Sequence, residues 1–523
     1  METENSEPVL LGGITADSTA ATAPTAVREA RASGVGRWLV VGLSAVVLLG
    51  TLLRLWKLTA KSFWFDEAYV YWVSVGPLHD LLWRHRAYHD DPPFVGLFIN
   101  LLYRFRVTPE LMRILPCMAG IGSVWTMARL SSRLLGLGAA IFTTGLVALS
   151  FNQIAYSQEL SKYAFAPFLT LLALLCIAWP GEEFRWKWAG MTALVWFVSP
   201  VVLYCMLFPL TSISVVWIIL WLRQPNRSRE ELLKWLAIQA AGAASGIPIY
   251  FTFLRYQIAQ GVQRDYLTHA YWDRSGLGSL LALLVHGAWE TVSFSYSFCP
   301  LMFLMVLAGA MCAARDRHGR ILLSVFIGTA GLTFIGALLR AYPFDGERHT
   351  MYLTVFIYLF AGFAFARILS SRLALMRMLA IALSAIFCLV GARSTLMYIR
   401  FTGDENIKGA GAYLFAHVQP NDGIAIQTLA EPQVFVHLPS LIKYAPDPNA
   451  NPMDSVFHED DVAWTKYLTQ NLMTHSRLWI IFSHSRESSQ KAALDLVSRT
   501  DTLGLMFEDK GTYLYLAQKK PGA

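Results

Sequence analysis

Residues 38–56 read WLVVGLSAVVLLGTLLRLW, and shortly afterwards residues 64–68 read WFDEA. The first stretch is long enough to cross the ~30 Å hydrocarbon core of a bilayer as a single helix. The second sets two adjacent carboxylates, Asp66 and Glu67, among aromatic side chains just past the point where that helix emerges. A chain that crosses a membrane and at once presents paired acids sets the terms for reading everything that follows.

The composition agrees with the first stretch. Of 523 residues, 55% are apolar, only 15% are charged and 17 are Trp, with a mean hydropathy of +0.43. Soluble domains carry roughly 25% charged residues, so a globular cytosolic enzyme is disfavoured, as are disordered and collagen-like classes. Six cysteines in such a length cannot make a disulfide framework. Cys117, Cys176, Cys205, Cys299, Cys312 and Cys388 all lie in apolar runs and read as buried thiols. The formal charge of +7 fits Lys and Arg holding cytoplasmic loops in place better than it fits nucleic-acid binding.

Further apolar runs centre on 114–130, 136–155, 163–179, 188–222, 232–254, 296–314, 321–339, 350–366 and 374–396. The run 188–222 is too long for one crossing and contains Pro200 and Pro209, so it reads as a hairpin of two short spans. The expected fold is a polytopic α-helical membrane protein with about eleven transmembrane helices. Residues 1–36 read as a flexible cytoplasmic tail with no cleavable signal. With that end inside, the alternating cytoplasmic segments collect Arg28, Arg31 and Arg37; Arg129 and Arg133; Arg185 and Lys187; Arg223, Arg227, Arg229 and Lys234; Arg315, Arg317 and Arg320; and Arg367, Arg372 and Arg377. Short loops rich in Lys and Arg stay inside, which supports this orientation. Asn226, in a glycosylation-like triplet, then lies on the wrong side to be used. Pro92–Tyr103, about twelve residues, is too short to span and is expected along the outer interface.

The outer face therefore receives a long loop at 58–112, a turn at 156–162, a loop at 255–295, a turn at 341–349 and everything past Arg400. In that last part Ile407–Val418 and Asp461–Met473 have helical spacing, while Gly423–Gln427, Leu478–Phe482 and Tyr513–Ala517 read as buried strands. Residues 401–523 suffice for a small extracytoplasmic α/β domain after a membrane domain at 37–400. No repeat of fixed period is present.

Charge at a membrane is costly, so its placement informs. Four clusters fall on the outer face. Asp66 and Glu67 suit a general base or a metal ligand, or else cap a helix. His89-Asp90-Asp91-Pro92-Pro93 suits a cation or a helix start. In Ser157-Gln158-Glu159-Leu160-Ser161-Lys162-Tyr163, Glu159 and Lys162 either pair with each other or face a sugar hydroxyl and a phosphate. In Tyr342-Pro343-Phe344-Asp345-Gly346-Glu347-Arg348-His349, the arginine either snorkels to headgroups or clamps a phosphate.

These motifs in this order resemble the GT-C glycosyltransferases, specifically bacterial relatives of the protein O-mannosyltransferases and the lipid A aminoarabinose transferases. The likeness covers roughly residues 38–400 in layout. It implies a sugar donor on a polyprenyl phosphate and inversion at the anomeric carbon. By the same likeness Asp66 is the catalytic carboxylate that takes the acceptor's proton, and Glu67 either supports it or contacts the acceptor. Asp90, Asp91 and Glu159 match the family's further acids, and Arg348 its basic residue near the donor phosphate. Two departures stand out. His89 occupies the position where relatives often carry the second acid, and Leu160, Ser161 and Lys162 interrupt the usual Glu-Ala-Arg-Tyr continuation before Tyr163. Some relatives use a divalent cation, for which His89, Asp90 and Asp91, or His269, are the candidate ligands; a structural histidine is the plainer reading. His349 joins the substrate-binding candidates.

The resulting expectation is a membrane enzyme of the cell envelope. It moves a sugar from a polyprenyl-phosphate carrier to a hydroxyl of a glycolipid, polysaccharide or protein outside the cytoplasm. The apolar stretch Leu277–Trp289, with Trp272, is the candidate lid. A transporter or lipid flippase is the alternative, but the ionisable residues gather at one face and no inverted repeat appears. A structural subunit with a partner-binding tail would leave the four clusters unexplained.

Overall fold

The computed structural model describes residues 34–84, 92–176, 186–224, 228–260, 267–296, 300–400, 405–446 and 461–520. The N-terminal tail to residue 33, the segment bearing His89, Asp90 and Asp91, and Cys299 and Asn226 lie outside the described residues.

Among the described residues, eight helices are long and apolar enough to cross a membrane, or nine if Leu137–Leu149 and Phe151–Ser157, bent by 57°, make one span. The chain is a multi-pass membrane protein. The expected eleven crossings also counted Phe165–Cys176, Trp186–Val202 and Pro300–Ala313. As described, these run about 18–26 Å at 1.5 Å per residue, and each borders residues outside the described ones. The run 188–222 does divide into two helices, Trp186–Val202 and Leu207–Leu222, with a turn of 3-10 helix at Tyr204–Met206 between them. One assignment changes: the expected outer loop 255–295 contains a 19-residue apolar helix, Leu277–Ser295, of spanning length.

The bundle is organised around Met351–Leu369, in which every residue from Met351 to Phe365 is buried. A helix wrapped on all sides by protein must be apolar all round, and this one is. Pro300–Ala313 lies so close that a Cβ on Gly309 would sit 1.7 Å from the Phe360 carbonyl oxygen, the close backbone approach that small residues permit in membranes. By contrast, Gly34–Leu55 and Ala374–Arg400 show mostly exposed apolar faces, as lipid-facing helices do. Cys117, Cys176 and Cys205 are buried as expected, Cys312 is half-buried, and Cys388 is exposed among the outward side chains of the last helix.

Phe94–Arg104 buries Val95, Ile99 and Asn100 on one face and exposes Leu101 and Tyr103. That division suits a helix lying along an interface.

Among the described residues, the C-terminal part is a four-stranded sheet with helices on both faces. Strands β1 (Gly423–Ile426), β2 (Arg477–Ser483), β3 (Asp501–Asp509) and β4 (Thr512–Lys519) are ordered β1-β2-β4-β3. The β1–β2 pair is parallel, which requires a crossover, and Asp461–Thr474 lies on that connection. β3 and β4 form a hairpin whose two turn residues, Lys510 and Gly511, both take positive φ, the geometry that matches strand twist. Alternate residues feed two cores: Ile424, Ile426, Trp479 and Ile481 on one face, Ala425, Leu478, Ile480 and Phe482 on the other. Strand β3 was not legible, because it is an edge strand whose residues are mostly half-exposed and do not alternate cleanly; helix Glu487–Thr500 was also not read from sequence.

Candidate active site

The first span ends at Leu55, and a short helix, Phe65–Ser74, follows. Its N-cap residue Trp64 is extended and makes no side-chain capping bond. Asp66 and Glu67 sit in the first turn, where acids are favoured by the helix dipole. Neither serves as the cap that sequence alone allowed. Asp66 instead accepts a hydrogen bond from Arg348 Nη1 at 2.6 Å through its Oδ2, across a separation of 282 residues. Its side chain remains 36% exposed and that of Arg348 21%.

Glu67 points the other way and is 3% exposed. Its Oε1 accepts from Arg113 Nε at 2.7 Å and from the Leu160 backbone N–H at 2.6 Å, and its Oε2 accepts from Arg113 Nη2 at 2.6 Å. Arg113 also donates to the carbonyls of Leu58, Lys61 and Ser62. This arginine therefore fastens the loop after the first span, the acidic helix and the turn at 158–164 together. Sequence reasoning missed it; the only signal was a single cation just ahead of an apolar run. Arg113→Ala would leave the Glu67 charge buried and unpaired, a loss of about 3–5 kcal/mol. The expected outcome is a clearly lower unfolding midpoint in detergent, partly recovered by adding Glu67→Gln. Unfolding at the wild-type temperature would show that the pair is dispensable to the turn.

Gln158 explains the middle of the Ser-Gln-Glu motif. Its Nε2 donates to the carbonyls of Leu53, Arg54 and Trp56, and its Oε1 accepts from Tyr398 OH at 3.0 Å. It thereby satisfies carbonyls left open at the end of the first span and ties them to the helix Ala374–Arg400. Glu159 follows, with Oε1 buried and without a hydrogen-bond partner among the described residues. Its carboxyl is held well above the usual range, by burial first and then by Glu67 and Asp66, with Arg348 opposing. It remains protonated more readily than an ordinary carboxyl and so offers a hydrogen-bond donor.

Arg348 arrives from the segment 342–349. There Gly346 has φ +76°, and a Cβ on it would stand 2.4 Å from Glu290 Cβ and 2.6 Å from the Thr291 nitrogen. Only glycine lets this segment pack so closely on Leu277–Ser295, which makes that helix a wall of the site. The Arg348 guanidinium lies over the rings of Trp64 and Tyr163, 5.7 and 5.3 Å from their centroids. Its charge is compensated by the Asp66 carboxylate at 2.6 Å. His349 hydrogen-bonds through Nδ1 to Asp345, and its ring meets Tyr163 edge-on at 5.8 Å. Lys162 is buried, with Nζ 4.9 Å from the Tyr163 ring centroid. The structure thus joins Asp66, Glu159, Tyr163 and Arg348, with Trp64 and Tyr156 as additional aromatic walls. Glu67, Lys162 and His349 are engaged by the protein itself.

His269 is exposed, and no group of three or more His, Cys, Asp or Glu able to hold a metal occurs among the described residues. A cavity of about 470 Å³ beside the interfacial helix is lined by Tyr71, Tyr103, Arg104, Arg106, Val107, Thr108 and Pro109. None of the residues around Asp66 and Arg348 contributes to it.

No protein-family model and no curated protein matches the chain. Solved structures do. The apo structure of the aminoarabinose transferase ArnT from Cupriavidus metallidurans superposes with a TM-score of 0.54 at 11% identity, over 92% of this chain and 98% of that one. The same protein bound to undecaprenyl phosphate gives 0.52 at 12% identity, with the same coverage. At such low identity what is shared is architecture, extending from the first span into the C-terminal sheet. The chain has the GT-C fold.

Proposed function

We propose that this protein is an inverting glycosyltransferase that moves a sugar from a polyprenyl phosphate to a hydroxyl of an extracytoplasmic acceptor. The observation that carries the reading is the Asp66–Arg348 pair: a partly exposed carboxylate and a guanidinium set between two aromatic rings, at one end of an apolar bundle. Transfer by direct displacement needs a base for the acceptor proton and positive charge for the departing phosphate. Asp66 takes the proton as the hydroxyl oxygen bonds to the anomeric carbon. The bond from that carbon to the phosphate oxygen breaks, and Arg348 meets the charge left on the lipid phosphate. Attack from the opposite face inverts the carbon.

The pair also suggests how the base becomes available. Asp66 is paired with Arg348 at 2.6 Å. A donor phosphate competes for the same guanidinium, so its arrival releases the carboxylate for the acceptor. Glu159, whose carboxyl burial holds above the usual range, donates to a sugar or phosphate oxygen when protonated. Glu67, with Arg113, positions the helix that bears Asp66, and Asp345 orients His349. The bound undecaprenyl phosphate of the ArnT structure supports a lipid-phosphate donor here. Purified protein supplied with radiolabelled polyprenyl-phosphate sugars and candidate acceptors is expected to transfer label, or slowly hydrolyse the donor. Neither activity over the panel would favour the transport reading.

In this proposal residues 37–400 form the catalytic membrane domain, and the loop 58–112 and the domain 401–523 stand on the extracytoplasmic side of the inner membrane. Ser488 is exposed at the start of a C-terminal helix. A cysteine introduced by Ser488→Cys is expected to react with a membrane-impermeant thiol reagent added outside the cell. Labelling only after lysis would reverse the orientation.

A further inference from the structure

We infer that the C-terminal domain positions the catalytic helix, and that Glu405 is the residue through which it does so. The helix Phe65–Ser74 starts without any capping side chain of its own, although the first N–H groups of a helix have no partner inside it. The tail supplies the acceptors. Glu405 Oε2 accepts from the Phe65 backbone N–H at 2.8 Å, one residue before Asp66. His437 Nε2 accepts from the Phe63 N–H at 2.9 Å. Burial, and then the Lys408 charge, push the His437 pKa down to about 3, so the ring is neutral and Nε2 keeps the lone pair that this bond needs.

Glu405 is itself fixed. It is 5% exposed, its Oε1 accepts from His484 Nδ1 at 2.7 Å, and Gln433 donates to its Oε2. The His484 ring stacks on Phe65 at 4.4 Å with an interplanar angle of 8°. Farther along the helix Phe435 stacks on Trp72 at 5.5 Å, and beside it Lys408 pairs with Glu110 at 2.6 Å. Acceptors and aromatic faces of the tail therefore meet one short helix, the helix that carries Asp66. A carboxylate at a helix N-terminus both accepts the open N–H and suits the dipole. Glu405 touches no reacting atom in this scheme. It is a positioning residue, acting through Phe65 on the direction of the Asp66 side chain.

The inference rests on Asp66 being the base, so its test has one readout that depends on turnover and one that does not. Amide hydrogen exchange on the full-length protein in detergent follows residues 63–67, with β2 as the control for an intact tail. Glu405→Ala is expected to speed exchange at 63–67 while β2 stays protected. It is also expected to lower kcat about 10- to 100-fold, the cost of a small misplacement of a catalytic group, with KM for the donor within about twofold. Glu405→Gln, whose amide oxygen still accepts from Phe65, should restore most of kcat. Should Glu405→Ala unfold the tail, Glu405→Asp decides: it keeps the charge but withdraws the carboxylate by about one bond length, ~1.5 Å, and should show the same two changes. Unchanged exchange at 63–67, or equal kcat in the variants that remove the cap and the wild type, would overturn the inference. A wild-type protein that transfers no sugar would sink the catalytic reading alone, since exchange at Phe65 would still report the cap.

Discussion

Asp66→Asn is expected to lower sugar transfer by about 10³-fold or more while the protein stays folded and binds its donor at least as well as the wild type. Asparagine has nearly the shape of aspartate, and its amide oxygen can still accept from Arg348, so the site keeps its form. It cannot take a proton. General-base catalysis contributes about 10²–10⁴-fold, and a 10³-fold loss corresponds to about 4 kcal/mol of transition-state stabilisation. Removing the charge also weakens the donor phosphate's competitor for the guanidinium. A fall in kcat with unchanged or tighter donor affinity separates a base from a structural residue, whose loss would weaken both. Turnover within tenfold of the wild type would overturn the assignment.

Arg348→Ala is expected to weaken binding of a polyprenyl phosphate by about 10- to 100-fold, since a hydrogen bond to a charged partner contributes about 1.5–3 kcal/mol. Turnover should fall further, because charge on the leaving phosphate grows towards the transition state and a missing donor there costs about 10²–10³ in kcat. The variant should fold: Asp66 loses its partner but is 36% exposed, so water solvates it. Arg348→Lys tests the rings. Lysine restores a point charge but not the planar group that lies over Trp64 and Tyr163, and is expected to recover binding only in part. Isothermal titration with the lipid phosphate, run beside the transfer assay, measures both effects. Donor affinity equal to the wild type in Arg348→Ala would remove the phosphate role.

All four charged clusters read onto one face from sequence, three of them because each lies just past the end of an apolar run and such ends alternate between the two sides of a membrane. The positions of Asp66, Glu159 and Arg348 could be marked that way; the fourth cluster, His89 to Asp91, lies outside the described residues. What could not be read was the division of labour. Asp66 and Glu67 are neighbours and look alike in sequence, yet successive residues on a helix point about 100° apart. That rotation sends one to Arg348 at the open end and the other into the grip of Arg113. The roles of Gln158 as a cap for the first span and of Glu405 as a cap for the acidic helix were equally hidden, since each bond joins residues more than a hundred positions apart.

The sequence by itself determined the solvent. Hydropathy sums along the chain, so residues 38–56 and their later counterparts committed the protein to a bilayer whatever they packed against. Tertiary structure alone decided which acid is exposed, which arginine is structural and which faces the site, and where the tail sits. Those outcomes depend on helix rotation and on hydrogen bonds of fixed length and direction between distant segments, and no local pattern of residue types records either.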